Sequence, residues 1–250
     1  MNYLKKKLKF LLGKISGDEH SIHQEHDLFI KRLRSSVIGE GMLSPQNITL
    51  MEYAIQHMPD SGVVLEIGSY AGLSTNVILH LMNKYARPHE MFCVDRWIYE
   101  GYQDKNTTAN PLFIDGRTDV LRSDYCDYLK KAFIQSLQLF QPHRLPYAFH
   151  EKSDTFFTHW DKTEMTDVFG RNKLPGGQIT FAYIDGDHSY EGAKKKKKKT
   201  LRYMLPGGLI LLDDTSQHLK FGSVQLRREI MRDIRIEIVS SDHNLLERKK

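Results

Sequence analysis

The sequence predicts an α/β fold: a mostly parallel sheet flanked by helices, with a C-terminal antiparallel hairpin strand and an N-terminal helical extension. Three observations predict it. Short apolar runs of strand length recur along the chain and alternate with stretches whose apolar residues fall at helical spacing. Acidic residues stand at or just beyond the ends of several of those runs, where ligands bind in parallel sheets. A length of 250 residues suits one sizeable α/β domain.

Residues 1–45 read as the helical extension and 46–250 as the domain proper. Ser44-Pro45 is a helix start, with serine as N-cap and proline in the first turn. Leu50, Met51, Ala54, Ile55 and Met58 continue it on one face, and Asp60-Ser61-Gly62 ends it. VVLEI (63–67) is a buried strand, followed by a helix carrying Val77, Ile78, Leu81, Met82 and Tyr85. MFCVD (91–95) is the second strand. Residues 99–119 are polar and turn-rich, a loop or lid. Leu121, Tyr125, Leu129, Phe133 and Leu137 mark a long helix. YAFH (147–150) is the third strand, with Ser153 as cap of the next helix, and 161–178 is an insertion. ITFAYID (179–185) and LILLD (209–213) are strands four and five. IRIEIVS (234–240) and LLERK (245–249) flank the turn SDHN as a hairpin.

The composition excludes little and locates one oddity. The net charge is +5, but without the six-lysine run Lys194–Lys199 it would be −1, so basicity is local and argues no nucleic-acid partner. Cys93 and Cys126 stand in no zinc-like spacing, which points to a reducing, cytoplasmic setting. No run of ~18 apolar residues occurs, so no transmembrane helix is expected. In residues 1–16, Leu4, Leu8, Leu11 and Leu12 share one helical face while lysines crowd elsewhere. That pattern suits peripheral contact at the inner membrane surface, a docking helix or a homodimer contact.

The chemistry-bearing motifs follow the strands. In LEIGSYAGLST (65–75), a strand runs through a glycine turn into a helix. Gly68 and Gly72 permit close backbone approach, and the helix start offers N–H groups to an anion. Ser69, Tyr70 and Ser74 belong to the same turn, and Glu66 before it could take an ammonium group. Asp95, ending strand two, stands where an acid can hold ribose hydroxyls. Asp185 and Asp213 end two strands joined by one crossover, so with Asp214 they could form an all-oxygen site for a hard cation such as Mg²⁺. Neighbours in a strand face opposite ways, so Asp213 and Asp214 reach one ion only if the strand stops there. His188, three residues after Asp185, is a candidate general base.

VVLEIGSYAGLST, FCVDRW, AYIDGDHSYEG and LPGGLILLDD together resemble the class I S-adenosylmethionine-dependent methyltransferases, and more narrowly the metal-dependent O-methyltransferases of catechol and of macrolides or sugars. The resemblance covers residues 60–250, and IDGDHSYEG…PGG…DD is its most specific part. It implies a Rossmann-like methyltransferase sheet with S-adenosylmethionine on Glu66, Gly68, Ser69, Tyr70, Gly72, Ser74, Asp95, Ser153 and Asp185. It further implies Mg²⁺ or another divalent cation on Asp185, Asp213 and Asp214, and His188 as base. The implied acceptor is a hydroxyl of a sugar, glycan or small natural product. No N/D-P-P-Y/F tetrapeptide of nucleic-acid amino-methyltransferases occurs. Two other readings stay open: a non-catalytic binding protein on this fold held at a membrane by its N-terminal helix, and an RNA-directed methyltransferase using the lysine run. For the run itself, helical spacing from Ala193 puts Lys197 toward the sheet and leaves the other lysines on a solvated face.

Overall fold

A computed structural model describes residues 30, 43–97, 111–114, 117–216, 219, 221–241 and 244–250. The expected amphipathic helix of residues 1–16, and 99–110 of the expected lid, lie outside them.

Helix α1 (Pro45–His57) starts as its sequence predicts: the Ser44 hydroxyl accepts the Asn47 N–H at 3.1 Å. β1 (Val63–Ile67) and α2 (Leu73–Lys84) follow, then β2 (Met91–Asp95). β3 (Pro111–Ile114) and β4 (Arg117–Leu121) form a small antiparallel pair inside the segment read as a lid. After α3 (Arg122–Phe140) come β5 (Tyr147–His150) and α4 (Ser153–His159). A second short hairpin, β6 (Met165–Thr166) with β7 (Asn172–Lys173), lies in the 161–178 insertion. The chain continues through β8 (Ile179–Ile184), α5 (Tyr190–Tyr203), β9 (Met204–Leu212), α6 (Gly222–Ile230), β10 (Ile236–Ser240) and β11 (Leu245–Lys249).

Seven strands make the main sheet in the order β10-β11-β9-β8-β1-β2-β5. β5, β2, β1, β8 and β9 pair in parallel, while β11 runs antiparallel between β9 and β10. The expected C-terminal hairpin is therefore present, and its second strand inserts beside β9. Five parallel strands need crossovers, and the intervening helices supply them. Both faces are covered, so the central strands read as continuous apolar runs.

Strand parity sorts the core into two layers. Val64, Cys93, Tyr183, Leu211 and Leu246 face α1, α2 and α3. Leu65, Val94, Ile184, Leu212 and Leu245 face α4, α5 and α6. The same parity fixes where the acids beyond the strand ends point.

Two local expectations are corrected. Ser153 is the first residue of α4 rather than its cap; Lys152 holds the cap position and makes no side-chain cap bond. The lysine run is ion-paired rather than merely solvated: Lys195 and Lys199 both reach Asp154 of α4, and Lys194 reaches Glu229 of α6 at 3.1 Å. Lys197 is buried against the sheet, at the phase its sequence predicts. Its ammonium lies 3.1 Å from Glu247 of β11, with side chains 8% and 1% exposed. Among the described residues neither Glu247 oxygen has a hydrogen-bonding donor. No helix among the described residues is long and apolar enough to cross a membrane.

Candidate functional site

The glycine turn after β1 is built around two carboxylates. Glu66 is fully buried; its Oε2 accepts the Ser69 hydroxyl at 2.8 Å and the Thr75 hydroxyl at 2.5 Å. Among the described residues its Oε1 has no hydrogen-bond partner. Burial pushes its pKa up, against the hydroxyls of Ser74, Thr75 and Ser69 that hold the charged form. Glu66, Ser69 and Ser74 thus turn toward one another beneath the turn.

Asp95 holds the turn from the neighbouring strand. Its Oδ2 accepts the N–H groups of Ser69 (2.7 Å) and Tyr70 (2.8 Å), and its Oδ1 accepts that of Trp97 at 2.5 Å. Desolvation raises its pKa despite these three bonds. Tyr70 takes a left-handed φ of 46°, and its carbonyl accepts the Trp97 indole N–H at 2.9 Å. Trp97 is buried and packs on Phe133 and His150, so it is a wall of the turn and part of the core.

Gly68 has a φ of 88°, and a Cβ there would stand 2.3 Å from the Asp185 carbonyl oxygen. The glycine is therefore required by the close approach of the β1 and β8 ends. Gly72, at φ 92°, caps α2 in the left-handed region, where a Cβ would crowd Ser136 and Phe133.

The second half of the site lies beyond β8 and β9. By parity Asp185 and Asp213 share the α1 side with Tyr183. The Tyr183 hydroxyl lies 2.9 Å from Asp213 Oδ2 and 3.3 Å from Asp185 Oδ2. Asp213 Oδ1 accepts from Asn47 Nδ2 of α1 (2.7 Å), Asn244 Nδ2 (2.5 Å) and the Asp214 N–H (2.9 Å). Asp214, at a left-handed φ of 49°, turns to the other side. There its Oδ2 lies 3.3 Å from His188 Nε2, and Asp185 Oδ1 lies 3.6 Å from the same nitrogen. His188 thus sits between two carboxylates, with the half-exposed Phe221 ring 5.2 Å away. Asp187 accepts the Ser189 N–H at 3.1 Å and serves the turn.

These acids suit a hard cation in chemistry and charge. Asp185 is pushed well above the ordinary carboxylate range, first by burial and then by the charges of Asp213 and Asp214. The 28% of its side chain left open moderates that push. A divalent ion would relieve such crowding, and Mg²⁺ commonly binds through one or two carboxylates with water completing its shell. Asp185 and Asp214 are the carboxylates open enough to serve. Asp213 is buried, with three donors on one oxygen. Among the described residues no three His, Cys, Asp or Glu side chains form a ready metal shell.

Ser153 begins α4 beyond β5, and the following Asp154 is taken by Lys195 and Lys199. Tyr183, Asn47, Asn244 and Phe221 escaped the sequence reading. The period of two from Asp185 could have flagged Tyr183; nothing local marks the other three.

A protein-family profile described as "Methyltransferase domain" matches residues 65–215. The chain belongs to this methyltransferase-domain family. The matched span runs from β1 to the turn after β9 and contains the strand-end cluster. The fold is that of solved methyltransferases. The SAH-bound methyltransferase PaMTH1 of Podospora anserina aligns with a TM-score of 0.56 at 13% identity, over 94% of this chain and 96% of that one. An O-methyltransferase from Bacillus cereus in complex with SAH gives 0.54 at 12% identity, over 90% and 91%. A methyltransferase from Geobacter sulfurreducens gives 0.52 at 9% identity, over 95% and 96%. A search of curated proteins finds no match.

Proposed function

We propose that this methyltransferase-domain protein transfers the methyl group of S-adenosylmethionine to a hydroxyl of a small molecule, a sugar or glycan or a natural product. The observation that carries the reading is His188, set between Asp185 and Asp214 at the strand ends, beside the glycine turn that Asp95 holds. The SAH bound in the Podospora and Bacillus structures, the latter an O-methyltransferase, supports it.

In this reading the donor lies over the turn from Gly68 to Gly72. Ser69 and Tyr70 have their N–H groups fixed by Asp95, so the turn is shaped before the donor arrives. Asp95 keeps one unused lone pair, on Oδ1, for a ribose hydroxyl. Glu66 and Ser74 hold the turn from beneath, Glu66 drawing the donor's ammonium by its charge and through the Ser69 and Thr75 hydroxyls it holds rather than by direct contact. Ser153, opening α4 beyond β5, is assigned to the adenine side.

The acceptor hydroxyl enters on the His188 side, against Phe221. Asp214 Oδ2, at 3.3 Å the nearer carboxylate oxygen, would take the Nε2 proton of His188 and select the tautomer whose Nδ1 lone pair is free. The acceptor oxygen forms a bond to the methyl carbon as the carbon–sulfur bond breaks. Sulfur leaves as a neutral thioether, and the hydroxyl proton passes to His188 Nδ1. Alignment of oxygen, carbon and sulfur supplies most of the acceleration. A divalent cation on Asp185 and Asp214, when bound, would lower the pKa of the acceptor hydroxyl.

Calorimetry with S-adenosylmethionine, with and without Mg²⁺, tests the donor site directly; absence of donor binding in both arms would sink the reading. With an acceptor in hand, His188→Ala is expected to lower kcat by about 10²–10⁴ and leave donor affinity within a factor of two or so. Unchanged turnover in that variant would remove His188 as the base.

A further inference from the structure

The lysine run that methyl transfer does not use borders a cavity. It has a volume of about 600 Å³ and lies between α5, α6 and the β10–β11 hairpin. Its Lys249 side lies at the end of the sheet away from His188: β11 begins at Leu245 opposite Leu212, beside the site, and runs back to Lys249 near the start of β9.

Its floor is aliphatic, made of Leu201, Leu226, Ile230 and Ile236. Its rim is cationic, and part of that charge is internally cancelled. Lys194 pairs with Glu229, Lys197 with Glu247 and Arg235 with Asp233. Lys198, Arg202, Lys249 and Lys250 have no carboxylate partner among the described residues and all border the cavity. Two of these ammonium groups are held in place. Lys249 Nζ donates to the carbonyls of Met204 (2.6 Å) and Leu201 (3.3 Å), and Lys250 Nζ to that of Ile234 (2.9 Å). A concave surface with a low-dielectric floor and like charges around it concentrates anions.

We propose that this cavity is a binding site for a small amphipathic anion, an organic phosphate on an aliphatic body. The volume falls within the usual range for small-molecule pockets, about 300–1,000 Å³, where apolar walls and a few placed polar groups are typical. The floor needs an apolar body to cover it, and the four uncompensated cations need a compact anion. Single-stranded nucleic acid fits less well: such sites stack bases on aromatic side chains, and among the described residues none lines this cavity.

The test uses the full chain and three probes: decyl phosphate below its micelle concentration, decanol and inorganic phosphate. Decyl phosphate is expected to bind at least about tenfold more tightly than either half alone. The variant K198E/R202E changes two exposed residues outside the methyl-transfer site. It is expected to weaken decyl phosphate about tenfold or more while S-adenosylmethionine binding stays unchanged. Equal binding of inorganic and decyl phosphate, or no effect of the variant, would overturn the proposal. So would binding confined to phosphatidic acid vesicles with none to the soluble probe, which would assign the surface to a membrane. A photoreactive alkyl phosphate gives a readout on the unmodified protein. Label is expected within 194–202, 226–236 or 245–250, and label elsewhere would refute the site. The decyl phosphate and labelling outcomes do not depend on the methyl-transfer reading.

Discussion

At Gly68 the backbone itself is the functional group. Its hydrogen occupies the space against the Asp185 carbonyl that a Cβ would need, and its φ of 88° adds backbone strain for any other residue. Gly68→Ala therefore forces the β1 and β8 ends apart. We expect it to destabilise the fold by 2 kcal/mol or more, at the order of magnitude of strained and overpacked sites, and to abolish donor binding, as read by urea unfolding and calorimetry. Wild-type stability in that variant would show that the strand ends move freely. Asp95→Ala acts on the same turn from the other side. It strips the acceptor from three N–H groups, so we expect donor affinity to fall at least about tenfold. Glu247 shows a single residue controlling pH dependence. Burial pushes its carboxyl up from about 4.5 to about 7, with Lys197 pulling it back. Between those pH values the folded chain keeps a proton that the unfolded chain has lost. Stability from this group is thus highest below pH 4.5, falls as pH rises to 7 and is flat above, an effect on the order of 3 kcal/mol. Unfolding free energies from pH 5 to 8 are expected to show a shallower fall in Glu247→Gln. An identical slope in both proteins would place the titration elsewhere.

Among the elements, α5 carries the sharpest conflict between local sequence and tertiary demand. Six consecutive lysines give the helix no apolar stripe, yet the sheet requires one position to point inward. Lys197 takes it and brings Glu247 as a buried partner on β11. Replacing a buried ion pair with apolar residues is often neutral or stabilising, while removing one partner is not. Lys197→Met is expected to cost about 3 kcal/mol at pH 8, where the buried Glu247 is ionised in the wild type and loses its counter-ion, and less at pH 5, where it is protonated in both proteins. The double variant K197M/E247L is expected to regain wild-type stability. Failure to recover would mean that the pair supplies geometry that packing alone does not. The other lysines fasten α5 to its neighbours, through Asp154 on α4 and Glu229 on α6. Those exposed pairs contribute little individually.

Across the whole molecule, one sheet with both faces covered couples the two core layers. Trp97 stands in the layer of α1, α2 and α3, and Trp160 in that of α4, α5 and α6. Unfolding should therefore be one transition: in Trp97→Phe and in Trp160→Phe, fluorescence and far-UV circular dichroism are expected to share a midpoint. Separate midpoints would show that the layers open independently. The sequence by itself determined the strand and helix order, the Ser44 cap, the glycine turn and the carboxylates at the strand ends, because these depend on periodicity and turn chemistry within a few residues. It also placed Lys197 toward the sheet. The tertiary structure decided what those groups meet. Asn47 and Asn244 converge on Asp213 across 166 and 31 positions of chain. The left-handed turn at Asp214 sends its carboxylate to His188 while Asp213 turns inward. Ser153 lost its capping role to the backbone at Lys152, and the lysines found carboxylates on three different elements. Such partners are chosen by packing between distant segments, and no local pattern records that choice.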